Sequence, residues 1–122
     1  MATQEEVRNF VIDRYNPRES EDGTLIATFV DAGRSQQTFI NVYDSSIEVQ
    51  SAFARTSDIT DAQAFEISKD SALGIGKVPG FYVVKNVMPI KDLDTSEIIL
   101  AIEMPTVFAD DFEKALGLGD DL

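Results

Sequence analysis

The residue types with which most enzymes carry out covalent chemistry are missing here: the chain has no histidine and no cysteine. It therefore cannot build a Ser-His-Asp triad, a thiolate nucleophile or a His/Cys zinc site from its own residues. Carboxylate, lysine or tyrosine chemistry remains, and each needs a closed pocket that shifts a pKa. Gly74-Ile75-Gly76-Lys77-Val78-Pro79-Gly80 has the look of a phosphate loop but lacks the G-x-x-x-x-G-K-[ST] spacing and precedes a strand instead of a helix. It reads as a glycine-relieved strand beside a tight turn. Asp92, Asp94, Ser96 and Glu103 occupy positions 1, 3, 5 and 12 of a calcium-loop frame, yet position 6 is Glu97 where the sharp turn requires glycine. A helix cap is the simpler reading. Asp110, Asp111 and Glu113 read as a solvated helix face, not as paired catalytic carboxylates. No catalytic residue, metal ligand or cofactor site is assigned.

The elements that would position any site follow from capping signals and periodicity. Thr3 with Glu6 forms a capping box, and Val7, Phe10, Val11 and Tyr15 line one face of a helix that ends at Asn16-Pro17. Arg18 to Gly23 is polar and turn-like. Thr24 to Val30 and Gln37 to Tyr43 read as a hairpin about Asp31-Ala32-Gly33, with Thr38, Ile40 and Val42 alternating against Gln37, Phe39 and Asn41. Ile47, Val49, Ser51 and Phe53 alternate with Glu48, Gln50 and Ala52 in a third strand. Thr60 and Gln63 cap a short helix over about Asp61 to Ser71, with Phe65 as its large aromatic anchor.

Leu73 to Val78 and Phe81 to Ile90 make a second hairpin about a type II turn at Pro79-Gly80, with Pro89 at the strand end. Asp94 and Glu97 open the last segment, where Ile98, Ile102, Phe108, Phe112 and Leu116 suit a helix kinked or broken at Pro105. The alternative makes Ile98 to Met104 a strand and starts a helix near Pro105; the spacing of Glu97, Ile98 and Ile102 favours the helix. Gly117 to Leu122 reads as a frayed acidic tail, leaving an ordered core of about residues 3–116.

The expected fold is thus one α+β domain over residues 1–122, ordered α-β-β-β-α-β-β-α, with an antiparallel sheet packed by helices. Among its 122 residues 43% are hydrophobic, which suffices for one core and leaves no room for a second domain. The start Met1-Ala2-Thr3-Gln4-Glu5-Glu6 shows no basic stretch before an apolar one, and no run approaches a membrane span, so the cytoplasm is the expected compartment. A formal charge of −12 repels phosphate backbones and anionic lipid. Nucleic acid and membrane are therefore poor partners, while basic or apolar protein surfaces stay open. Phe39, Phe53, Phe81, Tyr82, Phe108 and Phe112 read as core. A domain with this element count nonetheless leaves one sheet face only partly covered, and an apolar stripe left there would bind protein.

Two stretches, Gly80-Phe-Tyr-Val-Val-Lys-Asn-Val-Met-Pro-Ile-Lys-Asp-Leu-Asp94 and Val107-Phe-Ala-Asp-Asp-Phe-Glu-Lys-Ala-Leu116, together with the element order, give the chain a resemblance to the type III secretion chaperone-like fold. Within that fold it resembles the YbjN family of small acidic bacterial proteins. Pro105, inside the expected last helix, departs from the family pattern. The resemblance implies a homodimeric, non-enzymatic binder of a protein or peptide segment, chaperone-like or a regulatory adaptor. The rival reading is a small-ligand sensor or enzyme using a buried carboxylate, Asp13 or Glu48, in a sheet-lined pocket. For the dimer contact, Phe65, Ile75 and Val78 are the expected residues, because a glycine-weakened edge strand is a liability unless paired or covered.

Overall fold

The computed structural model describes residues 3–31 and 33–118 of the chain. Helix α1 (Gln4–Tyr15) starts on the Thr3–Glu6 capping box and stops at Asn16, which adopts a left-handed φ of 46° ahead of Pro17. Strands β1 (Arg18–Glu19), β2 (Leu25–Asp31), β3 (Arg34–Val42) and β4 (Ser46–Arg55) follow, then helix α2 (Asp61–Ser68). The β5–β6 hairpin (Gly74–Val78, Phe81–Pro89) and helix α3 (Thr95–Ala115) complete the order. The six strands form one antiparallel sheet in the order β1-β2-β3-β4-β6-β5. The expected element order holds, with β1 added where a polar turn was expected. Arg8 of α1 secures it, pairing with Glu19 at 2.9 Å and donating to the Gly23 carbonyl at 3.2 Å.

Period-two burial runs through the central strands. Thr38, Ile40 and Val42 of β3 and Ile47, Val49, Ser51 and Phe53 of β4 are buried, whereas the residues between them are only partly so or exposed. The buried side carries two apolar clusters, and all three helices contribute to them. Val7 and Val11 of α1 and Ile98 and Ile102 of α3 pack on Leu25, Ile40, Ile47 and Val49. Ala64 of α2 and Ala109 of α3 pack on Phe53, Tyr82 and Val84.

Between the clusters, under the middle of α3, lies a band of buried polar side chains: Gln36, Thr38, Ser51 and Thr106. A hydroxyl has one proton to give. Thr38 spends its proton on Thr106 at 2.6 Å, Thr106 donates to the Ile102 carbonyl at 3.0 Å, and Ser51 donates to the Gln37 carbonyl at 3.1 Å. Gln36 gives its two amide protons to Ser51 and to the Ala52 carbonyl.

Four sequence expectations change. Helix α3 runs unbroken from Thr95 to Ala115 with Pro105 inside it, so neither the strand nor the break occurs. Phe65 is 71% exposed and anchors nothing; the buried residue of α2 is Ala64, with Ile67 beside it. Glu113 is fully buried instead of solvated. The tail is ordered further than expected: Gly117, at φ 73°, donates to the Lys114 carbonyl and Leu118 to that of Glu113, closing α3 with a Schellman motif. The rest of the expected tail, 119–122, and Ala32 of the expected turn lie outside the described residues. Among those described, no helix is long and apolar enough to cross a membrane.

Candidate functional site

With the helices packed on one side, the other face of the sheet carries, among the described residues, only its own side chains. Cross-strand register builds it in rows: Phe39 stands opposite Gln50, Ala52 opposite Val83, Val83 opposite Gly76, and Phe81 opposite both Arg55 and Val78. The register of β4 shifts between Ala52 and Ala54, which is why odd-numbered Arg55 shares a face with Ala52. The small row Ala52–Val83–Gly76 is flanked by Phe39 on one side and by Phe81 with Val78 on the other. Phe39, Ala52, Val78, Phe81 and Val83, together with Gln37, Gln50 and Arg55, line an open trough of about 360 Å³.

A methyl group on Gly76 would lie 3.6 Å from Val83 Cγ2, an ordinary contact, so local packing does not demand glycine there. In a chain with 22 acidic residues, no carboxylate among the described residues lines this trough, and Arg55 is the charged group of that lining. Lys85, in the row of Phe39 and Gln50, reaches Glu48 of the next row at 3.5 Å, and Val87, opposite Glu48, is 53% exposed. The lining offers apolar surface, two carboxamides and a guanidinium, a composition suited to recognition.

A second constellation sits at the far end of the covered face. Arg34 at the start of β3 donates to Asp110 at 2.9 Å and pairs with the buried Glu113, while Lys114 reaches the other oxygen of Asp110 at 2.9 Å. Burial pushes the Asp110 carboxyl up, but the hydrogen bonds and charges of Arg34 and Lys114 outweigh it and hold the group below the usual carboxylate range. The neighbouring cleft, about 380 Å³, is bordered by Phe29, Gln36, Glu103 and Thr106. Arg34, Asp110, Glu113 and Lys114 are spent on one another, which ties α3 to the start of β3.

A third cluster joins Asp61 at the start of α2 to the sheet through Lys77 at 3.0 Å and the Tyr82 hydroxyl at 2.5 Å. The hydrogen bond from Tyr82 is the largest influence holding the Asp61 carboxyl below its ordinary value.

The three residues expected at a dimer contact do not share a surface. Val78 lines the trough, Ile75 points to the covered face and packs against the second core cluster, and Phe65 stands exposed on α2. Their strand, β5, is at the sheet edge as expected. Of the carboxylates named for a ligand pocket, Asp13 is exposed and Glu48 is part-exposed beside Lys85. In the calcium-loop frame, Asp94 caps α3, accepting from the Glu97 amide at 2.9 Å, and Glu103 accepts from the Tyr15 hydroxyl at 2.7 Å.

The lining residues Phe39 and Phe81 were expected in the core. The signal against that was present: Phe39 alternates with Thr38 and Ile40, so it had to leave on the opposite face. No protein-family model matches the chain, and no curated protein matches it.

Proposed function

We propose that the chain is a non-enzymatic protein-binding module, of chaperone-like or adaptor type, whose docking surface is the open face of the sheet. The observation that carries this reading is an apolar, carboxylate-free trough walled by Phe39 and Phe81 on a chain of net charge −12. Part-exposed aromatic walls gain free energy when another surface covers them, and a trough without carboxylates lessens the repulsion the rest of the chain imposes. The order α-β-β-β-α-β-β-α of its longer elements supports a chaperone-like classification and the YbjN resemblance, with β1 as an addition. The cytoplasm is the compartment that goes with this reading.

A photo-crosslinking residue placed at Phe81, and separately at exposed Asp13 on α1, tests it in cells. Protein adducts are expected from the Phe81 position and not from Asp13. Adducts of equal yield from both, or none from Phe81, overturn the open face as the docking surface.

A further inference from the structure

We infer that the cleft between α3 and the β2–β3 end of the sheet binds a small organic ammonium ion through its N–H groups, at a site across the sheet from the docking trough and independent of it. Gln36 carries the argument. It is 3% exposed and lines this cleft, and both of its amide protons go to strand β4, to Ser51 and to the Ala52 carbonyl. Its Oε1 is buried and has no hydrogen-bond partner. Exchanging the two ends of the amide does not cure this, because the Ala52 carbonyl would then lose its donor and face an oxygen. A buried acceptor without a donor costs free energy, and a ligand that brings a donor recovers it.

The frame around Gln36 is fixed on both sides. Arg34, Gln36 and Thr38 are alternate residues of β3, and the first and last of them tie α3 down, Arg34 through Asp110 at 2.9 Å and Thr38 through Thr106 at 2.6 Å. Both cations at the cleft border are engaged, Arg34 with Asp110 and Glu113 and Lys114 with Asp110. Thr106 gives its proton to the Ile102 carbonyl. Glu103, which borders the same cleft one turn before Thr106, accepts from the Tyr15 hydroxyl on Oε2, and no cation among the described residues pairs with it. What the cleft leaves over is therefore acceptor capacity and negative charge, the complement of a cation with N–H donors.

The rest of the lining sets the class of that cation. Phe29 stands opposite Gln36 in the sheet and is half-buried, and Val107, next to Thr106 on α3, is 54% exposed, so apolar surface flanks the acceptors. The volume of about 380 Å³ falls within the ~300–1,000 Å³ of small-molecule sites. Among the described residues no group of three or more carboxylates is placed to hold a metal ion. An ammonium head with a short apolar arm uses both kinds of lining, and the field of a chain of net charge −12 favours its approach.

Titration of the whole isotope-labelled chain with n-butylammonium at matched ionic strength, followed by NMR, tests the site. Saturable shifts are expected at the Gln36 carboxamide and at Phe29 and Val107. The n-butyltrimethylammonium ion carries the same charge and arm but no N–H, and is expected to bind at least tenfold more weakly. Glu103→Gln keeps an acceptor for Tyr15 while removing the charge, and is expected to weaken n-butylammonium binding at least tenfold. Val107→Lys sets a cation at the mouth from an exposed position and is expected to bring the same loss, which covers the case of a Glu103 variant that fails to fold. Shifts that spread over the exposed carboxylates without saturating overturn the inference. So does equal binding of the two cations, or binding that a folded Val107→Lys variant leaves unchanged.

Discussion

The side-chain amide of Asn86, on β6, donates to the backbone carbonyl of Ala101, on α3, across 3.3 Å. Ala101 is four residues before Pro105, so its carbonyl is the acceptor that the proline ring deprives of a helical N–H. The sheet thus supplies the donor that the helix lacks. One residue further on, Thr106 gives its hydroxyl proton to the Ile102 carbonyl at 3.0 Å. Helix α3 continues through the proline because the orphaned group is satisfied from outside the helix, in a buried setting where leaving it bare costs about 1–3 kcal/mol.

Asn86→Ala is accordingly expected to lower stability by about 1–3 kcal/mol in urea unfolding. Pro105→Ala restores the missing amide, so the cost of Asn86→Ala is expected to shrink by about 1 kcal/mol in that background. Additive effects in the double-mutant cycle would show that the Asn86–Ala101 bond does not compensate for the proline.

Glu113 is fully buried and pairs with Arg34, so removing the guanidinium alone strands a carboxylate in the core. Arg34→Ala is expected to cost about 3–5 kcal/mol, whereas Arg34→Met combined with Glu113→Leu is expected to cost far less, since a buried ion pair is often replaceable by apolar groups. Equal losses for the single and the double variant, measured by denaturant midpoint, would count against the pair as the source of the penalty.

At Glu113 the helical period and the charge of the side chain point in opposite directions. Ile98, Ile102, Thr106, Ala109 and Glu113 are all buried and recur every three to four residues, so the helical period had placed the glutamate on the core stripe. Its charge argued for solvent, and the compensating Arg34 is 79 residues away in sequence. Features set by neighbours in sequence were legible: three capping boxes at Thr3, Thr60 and Asp94, the alternation of β3 and β4, and Pro89 closing β6. Features set by distant partners were not. The open face illustrates the division, because alternation separates Phe39 from Ile40 but only the packing of all three helices decides which of the two meets solvent. Strand β1 was hidden for the same reason, since two polar residues carry no period and owe their pairing to Arg8 and β2.

Two phenylalanines separate the expected anchor from the real one. Phe65 is 71% exposed, whereas Phe53 is fully buried, with its ring in edge contact with Phe112 at 5.3 Å. Phe65→Ala is expected to change stability by less than about 0.5 kcal/mol and Phe53→Ala to cost about 3–5 kcal/mol. The reverse ranking in thermal or urea unfolding would mean that α2 packs differently.

Tyr15 sets the response to alkali. Burial first, and then its hydrogen bond to Glu103, raise its pKa from 10.0 to about 12. Both causes favour the protonated phenol in the folded state, so the stabilisation is complete below the unfolded value of 10.0 and is lost as pH climbs from there toward about 12. Because Tyr15 is only half-buried, solvent screening reduces the effect to the order of 1 kcal/mol. Tyr15→Phe removes the titrating group together with its bond to Glu103. The variant is expected to be less stable than wild type at pH 8, with the gap narrowing steadily as pH rises beyond 10. Paired urea titrations across that interval check the sign: a gap that stays constant or widens with pH would show that the folded state does not hold the Tyr15 proton.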